Sequence, residues 1–317
     1  MKSLQTSKRV NKEKESRNMI IGIDHGYGFT KTSNSIFASG VAKFKEQPPV
    51  TANIVQYNNM YYQIGVAPDG LTTDKTANED YYILTLAAIA EELKRCNIVS
   101  AHIILAVGIP LTRYGAEKED FINYLSRNDT VSFGYEDKQY TIRIDPQIYV
   151  YPQGYAAIAP QLNTIKGTCY LADIGTGTTE ILPISGDHKI DLKRAYTIQW
   201  GVSNCISMIN EEMSREYQCE LSTDQIIDIM LDRDIVIAEP VKELVVEQIR
   251  EWCVATFVLF HTKKVNYEIT QTFCFGGGSG LLKRFSEEQT DMITYIDDIK
   301  ANAKGYELLT KAIISKK

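Results

Sequence analysis

One pattern, present twice, limits what this chain can fold into. Residues 21–32 read IGIDHGYGFTKT and residues 169–184 read CYLADIGTGTTEILPI. In each, an apolar run of strand type ends on an aspartate, turns through glycines and returns as a second strand. Core packing does not ask for a carboxylate at the end of a buried strand. The copies lie about 150 residues apart, which is symmetry at domain scale and not a solenoid period. They imply two similar α/β halves with a ligand cleft between them.

The turns also suggest the ligand. Glycine lets a backbone approach closely and aim successive N–H groups inward, and such concave turns bind phosphate oxygens. In the second copy Gly175, Thr176 and Gly177 form the turn, and Thr178 and Thr179 add hydroxyls. In the first, Gly26 and Gly28 flank Tyr27, and Lys31 supplies a point charge for phosphate. Asp24 and Asp173 would repel phosphate, so a cation or water must stand between. Magnesium suits that position, because it keeps several waters and uses few carboxylates beside nucleotide phosphates.

A third glycine run, Gly276-Gly277-Gly278-Ser279-Gly280, follows the apolar TFCF. It does not meet the G-x-G-x-x-G spacing of a dinucleotide turn, and the chain has no G-x-x-x-x-G-K-[ST] phosphate loop. A flat run of glycines offers backbone against which an adenine or ribose can lie.

Between these markers the pattern alternates strands and helices. NIVQYNNMYYQIGV reads as a hairpin turning at Asn58-Asn59, and TVSFGYEDKQYTIRID as another. Apolar spacing predicts helices over DYYILTLAAIAEELKRC, residues 115–127, ISMINEEMSREY, STDQIIDIMLD, residues 240–263 and ANAKGYELLTKAIISK. IYVYPQGYAAIAPQL reads as a strand running into a helix at Pro152. The expected domains are 19–160, with a C-terminal helix 300–317 returning to it, and 161–299.

Composition narrows the function. A formal charge of −6 gives no basic surface for nonspecific nucleic-acid binding. No apolar run approaches the roughly 18 residues that span a bilayer. The six cysteines form no C-x-x-C pair and fit small buried hydrophobes in a reducing, cytoplasmic setting. Residues 1–18, MKSLQTSKRVNKEKESRN, read as a disordered basic tail.

Taken in order, these stretches resemble the actin-like ATPase superfamily. IGIDHGYGFTKT is similar to its first phosphate loop, VYPQGYAAIA to the first connecting helix and LADIGTGTTEI to the second phosphate loop. FGGGSGLL is similar to the adenosine loop and ANAKGYELL to the second connecting helix. Within the superfamily, AVGIPLTRY, Pro152-Gln153 and Ala303-Lys304-Gly305-Tyr306 most resemble the ParM/StbA-like plasmid segregation proteins of Gram-positive bacteria.

The resemblance implies an actin-like (ribonuclease H-like) two-domain α/β ATPase fold with ATP or GTP and Mg2+ in the interdomain cleft. It implies that Asp24 and Asp173 organise the magnesium through water, and that Gly26, Tyr27, Gly28 and Lys31 form the first phosphate loop. Gly175, Thr176, Gly177, Thr178 and Thr179 would form the second, and Gly276, Gly277, Gly278 and Ser279 would line the nucleoside. Gln153 falls where the ParM group commonly has Glu and actin has Gln. It cannot be a strong base, but it can orient a water for attack. Tyr27 is larger than the small polar residue common at its place.

Self-assembly into filaments is implied, with DNA reached through an adaptor on a centromere-like plasmid site. Neither direct sequence-specific DNA contact nor a membrane is expected. The rival readings are a sugar-type kinase of the same superfamily and a cell-shape or cell-division actin homologue. A kinase needs a base for the acceptor hydroxyl, and no motif offers one beyond those above. A membrane-bound homologue usually bears an amphipathic anchor, for which Leu4 and Val10 are too isolated.

Overall fold

The computed structural model describes residues 18–49, 52–66, 74–288 and 290–316. Residues 1–17, nearly all of the expected tail, lie outside them. Asn18, assigned to that tail from sequence, is the first residue of strand β1 and pairs with His102.

Ten strands form the first sheet among the described residues: β1 (Asn18–His25), β2 (Phe29–Thr32), β3 (Ile36–Ala38), β4 (Gly40–Phe44), β5 (Ile54–Tyr57), β6 (Met60–Val66), β7 (Ser100–Ile109), β8 (Thr130–Tyr135), β9 (Lys138–Ile144) and β10 (Tyr149–Pro152). Their order is β3-β2-β1-β7-β9-β8-β5-β6-β4, with β10 parallel to β7 beyond Ile104. The centre, β1 and β7, is parallel and buried, so both strands read as continuous apolar runs. The Asn58-Asn59 turn forms as expected, with both residues at positive φ (50° and 59°), as a two-residue hairpin requires.

The second sheet holds β11 (Cys169–Ile174), β12 (Thr179–Ile184), β13 (Tyr196–Ile198), β14 (Thr272–Phe275) and β15 (Ile293–Tyr295), in the order β13-β12-β11-β14-β15. Its β11–β12 hairpin repeats the β1–β2 hairpin of the first sheet. Each sheet has its own apolar core, and a third cluster joins Ile158 and Ile165 to Leu171, Leu182 and Phe273.

Seven α-helices complete the described fold: α1 (Asp80–Arg95), α2 (Leu111–Leu125), α3 (Val202–Tyr217), α4 (Thr223–Met230), α5 (Glu239–Thr262), α6 (Ser279–Phe285) and α7 (Ala301–Ile314). α1 is buried on nearly every side, with twelve buried residues, which is why its sequence carries so little polar face. α2 begins at Leu111 and not at 115, because Pro110 presets the backbone at the helix entrance directly after β7.

The segment expected to be an α-helix from Pro152 is instead a 3-10 helix, Ala156–Thr164. Gly154 turns the chain at φ +82°, and Pro160 lacks the N–H that an α ladder would need. α7 packs back onto this 3-10 helix and onto β1 and β7. Contact there is backbone to backbone: a Cβ on Gly305 would fall 1.8 Å from the Ala156 carbonyl oxygen. A Cβ on Gly22 would fall 2.1 Å from that of Ala303. No helix of the described residues is long and apolar enough to cross a membrane.

Candidate functional site

The β1–β2 and β11–β12 turns face each other across one cavity of about 660 Å³. Residues of both turns line it: Asp24 to Phe29 and Lys31 from the first, Asp173 and Gly175 to Thr178 from the second. The turns touch. A Cβ on Gly28 would lie 2.4 Å from the Thr176 hydroxyl, and one on Gly177 would lie 3.8 Å from the Tyr27 ring. Gly26 is required locally, since a Cβ there would approach the Phe29 carbonyl to 2.7 Å.

In each hairpin the strand-end aspartate stands directly opposite a second ionisable residue. Asp24 pairs in register with Lys31, and Asp173 with Glu180. Partners of this kind point to the same face of the sheet, here into the cavity. Lys31 Nζ lies 3.5 Å from Asp24 Oδ2. Among the described residues no cation forms an ion pair with Asp173 in the same way. Burial, then Asp24, pushes the Asp173 carboxyl up to about 6, against Lys31 and Asn302. Glu180 is buried, and burial, then Asp173, pushes it up to about 8. Its Oε2 has no hydrogen-bond partner among the described residues.

An amide from each connecting segment holds one aspartate. Gln153 donates from Nε2 to Asp24 Oδ1 at 3.0 Å. The carboxylate accepts only, so the amide must turn its NH2 group to Asp24, and its Oε1 is free to accept from something else. Asn302, buried at the start of α7, donates from Nδ2 to Asp173 Oδ2 at 3.0 Å. Its Oδ1 accepts the Gly154 N–H, also at 3.0 Å. Both aspartates are thus tied to the seam where α7 meets the 3-10 helix.

Not every residue expected here reaches the cavity. Thr179 is buried and donates its hydroxyl to the Trp200 carbonyl at 2.6 Å, so that hydroxyl is spent inside the protein. Gly276 to Ser279 are not among the lining residues. Two of them pack against the Asp173 turn. Gly276 adopts φ +86°, and a Cβ there would meet Asp173 Oδ1 at 2.5 Å, while the Gly278 N–H bonds the Ile174 carbonyl at 2.9 Å. That glycine run lets the end of β14 pass under the Asp173 turn.

Other residues enter that the sequence did not single out: His25, Lys75, Arg113 and Glu180 line the cavity, and Asn302 braces it. Glu180 and Asn302 had a signal, for Glu180 faces Asp173 once the hairpin register is drawn and Asn302 stands in the ANAKGYELL stretch. Lys75 had none, because in TTDKTANED it reads as a solvated loop charge.

Two observations bear on a magnesium nucleotide. Among the described residues no group of three or more His, Cys, Asp or Glu forms a ready-made metal centre. The turns instead offer two carboxylates and glycine backbone, a donor set that fits a magnesium ion completed by water and phosphate.

Comparisons with known proteins agree with this geometry. Residues 22–155 match the family model described as actin like proteins N terminal domain. No curated protein sequence matches the chain. Solved structures do. An archaeal actin homologue, Ta0583 in complex with ADP, is 20% identical with a TM-score of 0.72, over 92% of this chain and 99% of that one. Apo psk41 ParM is 16% identical with a TM-score of 0.69, over 95% and 99%. The Alp12 filament structure is 13% identical with a TM-score of 0.69, over 94% and 100%. The chain therefore has the actin-like fold, and the family-model match runs through the strands of its first sheet. The resemblance read from its motifs, to actin-like proteins of the ParM type, fits these neighbours.

Proposed function

We propose that this protein is a nucleoside triphosphatase that assembles into filaments when nucleotide and magnesium fill the cleft. The observation that carries the reading is the meeting of two aspartate–glycine turns, one from each sheet, on a single cavity. The domains are 19–160 with the helix 300–317, and 161–299. A ligand held by both turns favours the closed arrangement by its differential affinity for it.

Asp24 and Asp173 would hold the magnesium, with waters completing its shell.

 Both carboxylates are already oriented, Asp24 by Gln153 and Asp173 by Asn302. When bound, the ion neutralises phosphate charge and orders water. Gly26, Tyr27, Gly28 and Lys31 present backbone and a cation to the phosphates from one side. Gly175, Thr176, Gly177 and Thr178 do so from the other. Gln153 accepts a hydrogen bond from the attacking water at Oε1, because its NH2 group is held by Asp24. The water oxygen bonds to the terminal phosphorus, the bond to the bridging oxygen breaks, the diphosphate leaves with that electron pair, and the water's proton passes to the phosphate that is formed. Positioning of this kind carries most of phosphoryl-transfer catalysis.

The cellular role that goes with this chemistry is segregation of a plasmid or similar replicon. The filament reaches DNA through an adaptor bound to a centromere-like site. The resemblance of the motifs to ParM-type proteins supports that reading, as do the ParM and Alp12 structures among the neighbours.

Light scattering of the purified protein in ATP, GTP, ADP and EDTA tests assembly. The expected result is growth in a triphosphate with magnesium and none in EDTA. Equal assembly in every condition would refute coupling to nucleotide, and phosphorylation of a sugar without assembly would favour the kinase.

A further inference from the structure

The sequence points to one cation for phosphate, Lys31, and in the structure that cation already has a partner in Asp24 at 3.5 Å. A second lysine lines the same cavity without one. Lys75 is 5% exposed, and its Nζ donates to the Gly108 carbonyl at 3.0 Å. Among the described residues it makes no ion pair within 4.0 Å. The Tyr81 and Phe121 rings stand 5.9 and 5.6 Å from Nζ. An ammonium has three N–H donors, so one carbonyl leaves two unspent.

Its position is specific. Gly108 packs against the water-orienting glutamine, since a Cβ there would lie 2.9 Å from Gln153 Cγ. Lys75 and Gln153 thus both adjoin Gly108, and both line the cavity. The turn that carries it is fixed, with Asp74 accepting from the Thr76 N–H at 2.9 Å and from its hydroxyl at 2.8 Å. The buried helix α1 follows at Asp80. Burial lowers Lys75 to about 8, which leaves it mainly charged at neutral pH. Asp24, Glu180 and Glu117 draw it toward the charged form, and Arg113 opposes them. A buried ammonium held by one carbonyl is costly, and packing alone would be served by methionine.

We propose that Lys75 reads the terminal phosphate of a bound nucleoside triphosphate, its two spare N–H donors pairing with the phosphate oxygens, and so sets the preference for triphosphate over diphosphate. The proposal rests on the nucleotide reading above. It divides the labour between two lysines: Lys31 faces the phosphates with Asp24 already beside it, and Lys75 gains an anionic partner only when the third phosphate is present.

Calorimetric titration with ADP and with a non-hydrolysable ATP analogue, both with magnesium, tests it on wild type, Lys75→Met and Lys75→Gln. Two charge-assisted hydrogen bonds predict that Lys75→Met binds the analogue about 10- to 100-fold more weakly. Its ADP affinity should stay within about twofold, and the thermal shift induced by the analogue should shrink in parallel. Lys75→Gln keeps polar donors without charge and should fall between. If both ligands weaken equally, or neither does, Lys75 does not read the terminal phosphate. If wild type binds neither ligand, the nucleotide reading itself fails and this one with it.

Discussion

Replacing Lys75 by methionine should stabilise the nucleotide-free protein. Burial brings this lysine from 10.5 down to about 8. At 1.36 kcal/mol per pKa unit, holding it charged in the fold costs about 3 kcal/mol at neutral pH. Methionine keeps the stem and removes the ammonium. The Gly108 carbonyl loses a donor, which returns about 1 kcal/mol, so the expected net gain is about 2 kcal/mol. With about 2.1 cal/mol/K of unfolding entropy per residue, that is a rise in melting temperature of about 3 °C for a chain of this length.

The sign has a pH signature. Between about 8 and 10.5 the unfolded lysine binds the proton and the folded one releases it, so wild-type stability rises with pH through that window. The penalty is complete below about 8 and gone above 10.5. Urea unfolding of both proteins without nucleotide, at pH 7 and at pH 10, measures this. The advantage of Lys75→Met should be clear at pH 7 and largely lost at pH 10. A mutant less stable than wild type at pH 7 would refute the reasoning and make Lys75 a strut.

Two further substitutions probe the site and its support. Gln153→Ala should leave nucleotide affinity nearly unchanged and slow phosphate release by roughly 10- to 100-fold, while Asp173→Ala should weaken both; phosphate release and sedimentation on the two mutants read this out. Hydrolysis by Gln153→Ala at the wild-type rate would make the glutamine a bystander. Gly305→Ala must push α7 off the Ala156 carbonyl, now 1.8 Å from where its Cβ would lie, and should lower stability by about 1–3 kcal/mol in urea unfolding.

The parts of this molecule that were legible in its sequence are those where one local rule decides. Two apolar runs, each closed by Asp and glycine, gave the two hairpins, because strand periodicity and turn chemistry act over a few residues. Asn58-Asn59 gave its turn for the same reason. Illegible were the choices made between distant segments. Thr179 carries a hydroxyl at the expected spacing, yet Trp200, twenty-one residues on, takes its hydrogen bond. The close approach of Gly276 and Gly278 to Asp173 and Ile174, about a hundred residues back, is likewise invisible in local pattern. Pro160 carried a local warning against an α-helix that the apolar pattern around it masked.

Lys75 is the clearest case. Nothing in TTDKTANED distinguishes it from a solvated charge, and its burial comes from α1, α2 and the end of β7 closing around it. A charge buried by tertiary packing, held by a backbone carbonyl and no ion pair among the described residues, leaves no trace in local pattern. An enclosed ammonium calls for an anion to compensate it, and Lys75 shares its cavity with the two turns proposed to hold phosphate.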